Sequence, residues 1–262
     1  MLNAYLSATQ NLLQNPSAPS QLYSTANLTT YVNTARGQLA GEGECIRFLG
    51  TISTVIGQQS YNFSAISTGT PATNGIEGVI NVRAMWYGIG AGPAGRKWVA
   101  PVTWEWFGQS LLNNPLALQT NQEGPPTSWA QFGQGSAGTG TGSGASGSFY
   151  LDPVPDLAYT LYLDCVCYPQ TLAVDGDVEA IPYLWTDAVP FFAAYYALLS
   201  SQNNARLSDA EKYFNHYDTF LNRARRASNP SQNRWMYSQA QDPAQAPKMQ
   251  VGTQKPGGAG AV

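Results

Sequence analysis

Charge is what this sequence has least of. Asp, Glu, Lys and Arg make up 11% of its 262 residues, against roughly 25% in an ordinary globular chain. A monomer bathed in water coats itself with those residues, whereas the buried centres of subunit interfaces are depleted of them. A surface built from Gln, Asn, Ser, Thr and Tyr therefore predicts extensive coverage by neighbours, and an oligomer. The net charge of −3 and the pI near 5.1 leave no basic footprint for tight nucleic-acid binding. Long apolar runs are missing too. The most apolar stretch, Val189 to Leu199, falls short of the roughly 18 residues a membrane span needs. The N-terminus has no positively charged start of a secretory signal and begins as an amphipathic helix instead.

Reactive side chains are equally scarce. There is one histidine, His216, and there are three cysteines, Cys45, Cys165 and Cys167. Cys165 and Cys167 would share one face of a strand and form neither a CxxC pair nor half a zinc site, so the three read as reduced thiols made in a cytoplasm. His216 has no partner at metal-ligand spacing and reads as a structural residue. No G-x-S-x-G elbow is present, and the carboxylates are too scattered to nominate a glycosidase pair. Asp175, Asp177 and Glu179 alternate like the start of a calcium loop. The sixth position, which must be Gly, is however Ala180, and the twelfth is Thr186 rather than Glu. Gly90-Ala-Gly-Pro-Ala-Gly95 spells G-x-G-x-x-G, but it joins two strand-like segments. A dinucleotide loop must instead run from a strand into a helix. The plain reading is a hairpin connection. Neither a catalytic centre, nor a metal site, nor a cofactor is expected.

What is present is organised as helices, strands, helices and a tail. Leu2, Tyr5, Leu6, Thr9, Leu12 and Leu13 keep helical spacing up to Pro16. Ser24 is a plausible cap for a second helix carrying Leu28, Tyr31, Val32, Ala35 and Leu39 on one face, with a run extending toward Phe48. Strand patterns follow at Gln59–Ser64, Val79–Tyr87, Lys97–Phe107, Ser148–Leu151 and Tyr159–Tyr168. The Gly/Ser/Thr-rich segment 133–147 is a low-complexity loop. Asp187 caps a helix to Gln202 that is apolar all round and therefore expected to be buried on every side. Ser208-Asp-Ala-Glu211 reads as a capping box. The helix it opens carries Tyr213, Phe214, Tyr217, Phe220, Leu221 and Ala224 on one face. The expected class is α+β. Residues 1–50 and 181–228 supply a helical bundle, 51–180 an inserted β-rich domain, and 229–262 an extended C-terminal arm.

Three stretches resemble the head-to-tail adaptor (connector) proteins of podovirus-type bacteriophages: Leu22–Gly43, Ala180–Asn203 and Ala210–Ser228. Asp152–Cys165 is similar to the β-region of the same group. The resemblance implies a helical bundle that docks under the portal ring, assembled in many copies, usually twelve, around a DNA channel. It also implies a platform for the tail nozzle or tube, and a place in the neck of the virion after synthesis in the bacterial host cytoplasm. The arm fits a segment that reaches along the portal or a neighbouring subunit, with Arg234, Trp235, Met236 and Tyr237 as its anchors. Phe191, Phe192, Tyr195, Tyr196, Tyr213, Phe214, Tyr217 and Phe220 are the expected bundle or subunit packing residues. Glu42 and Glu44 are candidates to face the channel, where a neutral or acidic lining would let double-stranded DNA pass. The second reading, from another class, is a carbohydrate-binding virion or surface module in which Trp104 and Trp106 stack on sugars from one strand face.

Overall fold

A computed structural model of the chain describes residues 1–16, 21–88, 95–105, 107, 123–135, 146–200 and 206–228. Helix α1 spans Leu2–Leu13 and buries Leu2, Tyr5, Leu6, Thr9 and Leu13, the spacing its sequence predicts. Helix α2 spans Thr25–Gly43, and the Ser24 hydroxyl accepts a hydrogen bond from the Asn27 N–H at 3.2 Å. It does not continue to Phe48. Glu44 turns left-handed (φ 48°) and its N–H closes back on the Ala40 carbonyl, so the chain leaves the helix there and enters strand β1, Arg47–Ser53.

Strands β2 (Ser60–Asn62), β3 (Ile76–Gly88), β4 (Arg96–Pro101), β5 (Ser128–Phe132), β6 (Ser148–Asp152) and β7 (Thr160–Pro169) complete a seven-stranded sheet in the order β1-β7-β3-β4-β5-β6-β2. A one-turn helix α3, Pro71–Asn74, precedes β3. Every neighbouring pair is antiparallel except β4 with β5. The sheet curls. Past β2 the chain returns to the opposite edge, where Thr51 of β1 and Ser67 exchange backbone hydrogen bonds at 3.1 and 2.8 Å. Gly50 permits that approach, because a Cβ there would sit 2.6 Å from Cγ2 of Ile66. The strand pattern read over Lys97–Phe107 ends at Pro101. Proline cannot donate to a ladder, and past it Trp104 has left the sheet.

Helix α4 (Ala188–Ser200) packs against α1, α2 and α5 (Leu207–Ser228), and α2 also lies against β7. Pro190 falls in the first turn of α4, where its missing N–H costs little. The helix is not covered on every side: Tyr196 and Leu199 are exposed. Since α5 begins at Leu207, Ser208 lies inside its first turn rather than ahead of it, and the expected capping box does not form. Buried side chains of the helices and of the sheet's inner face, including Leu161, Leu163, Cys165, Met85 and Val99, make one continuous core. Among the described residues no helix is long and apolar enough to cross a membrane.

Candidate assembly surface

The contact between α4 and α5 is built from aromatic rings. Phe192 meets Tyr217 with ring centroids 4.7 Å apart, Tyr195 meets Phe214 at 5.0 Å, and Phe191 stacks on His216 at 5.2 Å. Tyr213 and Phe220 also flank Phe191, and the Tyr213 hydroxyl donates to the Leu12 carbonyl at 2.6 Å, joining α5 to α1. On the far side, Tyr196 lies edge-on to Tyr31 of α2. The eight expected packing residues are thus together, but at different depths. Phe192 and Tyr217 are buried, whereas Tyr196 and Phe214 keep 42% and 40% of their surface exposed. Both sets link the helices, and Tyr196 and Phe214 also keep part of their rings in solvent. His216 is exposed. No group of three His, Cys, Asp or Glu side chains among the described residues is placed to hold a metal ion.

A groove of about 570 Å³ opens between α1, α4 and α5. Ala8, Leu12, Pro190, Phe191 and Phe220 give it an apolar lining, and Asn11 and Asp187 supply its polar groups.

A second aromatic feature lies on the outer face of the sheet, and sequence reasoning missed it. The register pairs Thr51 with Tyr162, Tyr162 with Trp86, and Trp86 with Trp98, so four strands put these residues in one row. Trp86 and Trp98 lie 4.9 Å apart at 47°, Trp86 and Tyr162 lie 6.3 Å apart at 17°, and the Arg96 guanidinium sits 5.6 Å over Trp86. Trp98 is 63% exposed. The signal was available: folding the chain back about the Gly90–Gly95 segment sets residue 86 opposite residue 98. Of the two tryptophans expected to share a strand face, Trp104 lies off the sheet. Trp104 is half-buried against Phe107, Phe132 and Tyr150, and Trp106 is outside the described residues.

The charged groups are mostly engaged in holding the fold. Arg36, 1% exposed, is held by Glu179, itself 8% exposed, through bonds of 2.8–3.3 Å. The same guanidinium donates to the Gln170 carbonyl and to Asn33. Glu42 pairs with Arg225, and Glu44 with Arg83. Both proposed channel-facing carboxylates therefore stand beside arginines. Arg47 and Arg83 each donate to the Ser228 carbonyl, at 3.0 and 2.9 Å, and the Ser228 hydroxyl reaches the Gly43 carbonyl. The end of α5 is pinned to α2 and to two strands. Asp175 and Asp177, read as a polar turn, are both held below the ordinary carboxylate range, Asp175 by bonds from the N-terminal ammonium and then the Asn3 N–H, and Asp177 by bonds from the Val174 and Ala173 N–H groups. Arg234, Trp235, Met236 and Tyr237, like all of residues 229–262, lie outside the described residues.

The three cysteines are free and buried. Burial raises the Cys45 thiol to about 11 and the Cys165 thiol to about 12, and pushes Cys167 up as well. Thiolate is the reactive form. At pH 8 the native protein should therefore react with a thiol reagent at least about a hundredfold more slowly than the same chain in denaturant. Labelling followed by mass spectrometry checks this, and rapid single-site labelling of the native state would refute it. A raised folded pKa contributes stability that is complete below the unfolded value of about 8.5 and is lost as the pH rises toward 11–12. Alkali should destabilise the fold.

Two comparisons with known proteins bear on this arrangement. The family model for the SU10 adaptor protein matches residues 5–243. No curated protein matches the chain.

Proposed function

Because the chain belongs to the SU10 adaptor protein family, and so is a structural adaptor of a bacteriophage particle, we propose that it forms the ring joining head to tail. The observation that carries this reading is the extent of the match, which takes in every described helix and strand except the first few residues of α1. In this reading α1, α2, α4 and α5 form the bundle that docks on the portal, and the β-rich region is the insertion that meets the tail nozzle or tube. Many copies, usually twelve, surround the channel through which double-stranded DNA passes. The protein works by surface complementarity, without turnover and without a cofactor, in the neck of the virion.

Low charge supports an extensively covered surface. The partly exposed rings of Tyr196 and Phe214 supply the side chains that dominate such contacts. Residues 229–262 serve as the arm that engages the portal or a neighbour, with Arg234, Trp235, Met236 and Tyr237 as anchors. Glu42 and Glu44, each next to an arginine, would present a nearly neutral lining to DNA rather than a strongly acidic one, and a neutral wall binds few phosphates.

Mass photometry of the chain, alone and mixed with the portal of the same phage, tests this. A high-order complex is expected with portal. Ending the chain after Ser228 should weaken it by at least about thirtyfold, the loss of one good hot-spot cluster. A chain that stays monomeric with portal present would refute the reading.

A further inference from the structure

A ring needs two different patches on each copy, one fitting the other, because a patch that meets itself closes a two-fold dimer and stops. Among the described residues are two apolar features of opposite shape. One is a knob, Trp98, standing 63% exposed on the outer face of the sheet. The other is the hole between α1, α4 and α5. We propose that Trp98 and Arg96 of one copy dock into the groove lined by Leu12, Pro190, Phe191 and Phe220 of the next, with Arg96 set against Asp187. This contact deepens the adaptor reading and rests on it.

Shape, charge and rigidity each support the match. The groove, at about 570 Å³, lies within the 300–1,000 Å³ of pockets that enclose a ligand-sized group, and an indole can bury some 150–250 Å² there. Arg96 and Trp98 are two residues apart on one strand and point to the same face. Both Arg96 and Asp187 are exposed, and neither has an ion-pair partner among the described residues. Trp98 is also held ready: Trp86 packs at 4.9 Å beneath it, Tyr162 backs Trp86, and the register of β3 and β4 fixes the pair. Little side-chain freedom remains to be lost on binding.

The same geometry disfavours a sugar as the occupant of this face. A sugar-binding platform commonly offers adjoining flat aromatic faces, whereas Trp86 is covered by Arg96 and Trp98 is tilted by 47° to it, so the two rings form no flat two-ring platform. A Trp, a Tyr and an Arg packed together are instead the composition of a protein–protein hot spot. The knob sits on the sheet and the hole among the helices, so the contact is head-to-tail in kind, the kind that generates a ring when the rotation between copies closes.

Two experiments on the full chain test the contact. In the first, Arg96→Asp and Asp187→Arg are made singly and together, and assembly with portal is titrated. Each single change should raise the concentration needed for half-assembly at least tenfold, and the double change should recover most of that loss. In the second, benzoylphenylalanine replaces Trp98, and crosslinks are mapped by mass spectrometry in the portal complex and in the concentrated chain alone. Crosslinks from position 98 to residues 2–13, 188–200 or 207–228 of another copy uphold the contact. Crosslinks elsewhere, or single variants that assemble like the unmodified chain, overturn it while leaving portal docking intact. If no portal complex forms at all, the adaptor reading falls by itself, and the sample without portal still decides the contact. A glycan-array signal lost in Trp98→Ala would also overturn it.

Discussion

Replacing Arg36 with Ala should cost about 3–5 kcal/mol, the penalty for removing one member of a buried ion pair and stranding the other. The guanidinium and its partner are almost wholly enclosed, at 1% and 8% exposure. Its loss would orphan more than Glu179. The Gln170 carbonyl would lose a donor at 2.7 Å, and the Asn33 amide oxygen would lose one at 3.0 Å. Asn33 in turn holds both backbone groups of Leu172, and Gln170 holds the Gly75 carbonyl at the start of β3. Gly75 itself has no room for a side chain: with φ +69°, a Cβ would lie 2.5 Å from the Val178 carbonyl. One side chain on α2 therefore organises the whole connection from β7 to α4. At 2–4 °C per kcal/mol for a domain of this size, the melting temperature should fall by roughly 6–20 °C. Arg36→Met combined with Glu179→Leu should recover the part of the loss due to the stranded charge, but not the part due to the Gln170 and Asn33 oxygens, which stay without their donor. Thermal unfolding of the two variants beside the parent decides it. A single variant that melts within 2 °C of the parent, on that same scale of roughly half to one kcal/mol, would show that the pair is not what fixes the connection.

How much of this could be read beforehand depended on whether a segment obeys a simple period. Helix α1, most of α2, and strands β3, β6 and β7 were legible because their apolar residues recur at helical or strand spacing and bury as spaced. Strand β1 was not, because its burial scarcely alternates and its Gly50 is set by a contact with Ile66 far along the curl. The end of α2 was missed for the same reason, since Glu44 stops the helix without a glycine in the left-handed position. Strand β5 has only five residues, three of them buried in succession, and shows no alternation. Arg36 left a trace that pattern reading ignores: it falls four residues after Val32 on the buried stripe of α2. A charge on that stripe demands a buried partner. Which carboxylate answers is a tertiary fact, and Glu179 looked like one more acid in a polar turn. The outer row of Tyr162, Trp86 and Trp98 needed strand order, which periodicity does not contain.

The second large effect should come at Tyr217, where two substitutions of the same residue are expected to act in opposite directions. Tyr217 is 1% exposed, and its ring fills the seam between α4 and α5 against Phe192 and Phe214. Truncation to Ala removes that ring from a closed site, and large aromatic-to-Ala changes in such sites cost about 3–5 kcal/mol. The hydroxyl is a different matter. It is buried without a hydrogen-bond partner among the described residues, and burial beside Glu42 pushes its pKa well above the ordinary tyrosine range. An unpaired buried hydroxyl costs about 1–3 kcal/mol relative to one that is satisfied or absent. Tyr217→Phe keeps the ring and deletes the liability, so it should be neutral or stabilising by up to about 1 kcal/mol. Denaturant titration of both variants separates the contributions. If Phe proves as damaging as Ala, the hydroxyl makes a bond that matters more than the packing. If both are harmless, the α4–α5 seam is not held by its aromatic rings, and the partly exposed rings of Tyr196 and Phe214 built on that seam would lose their rigid base.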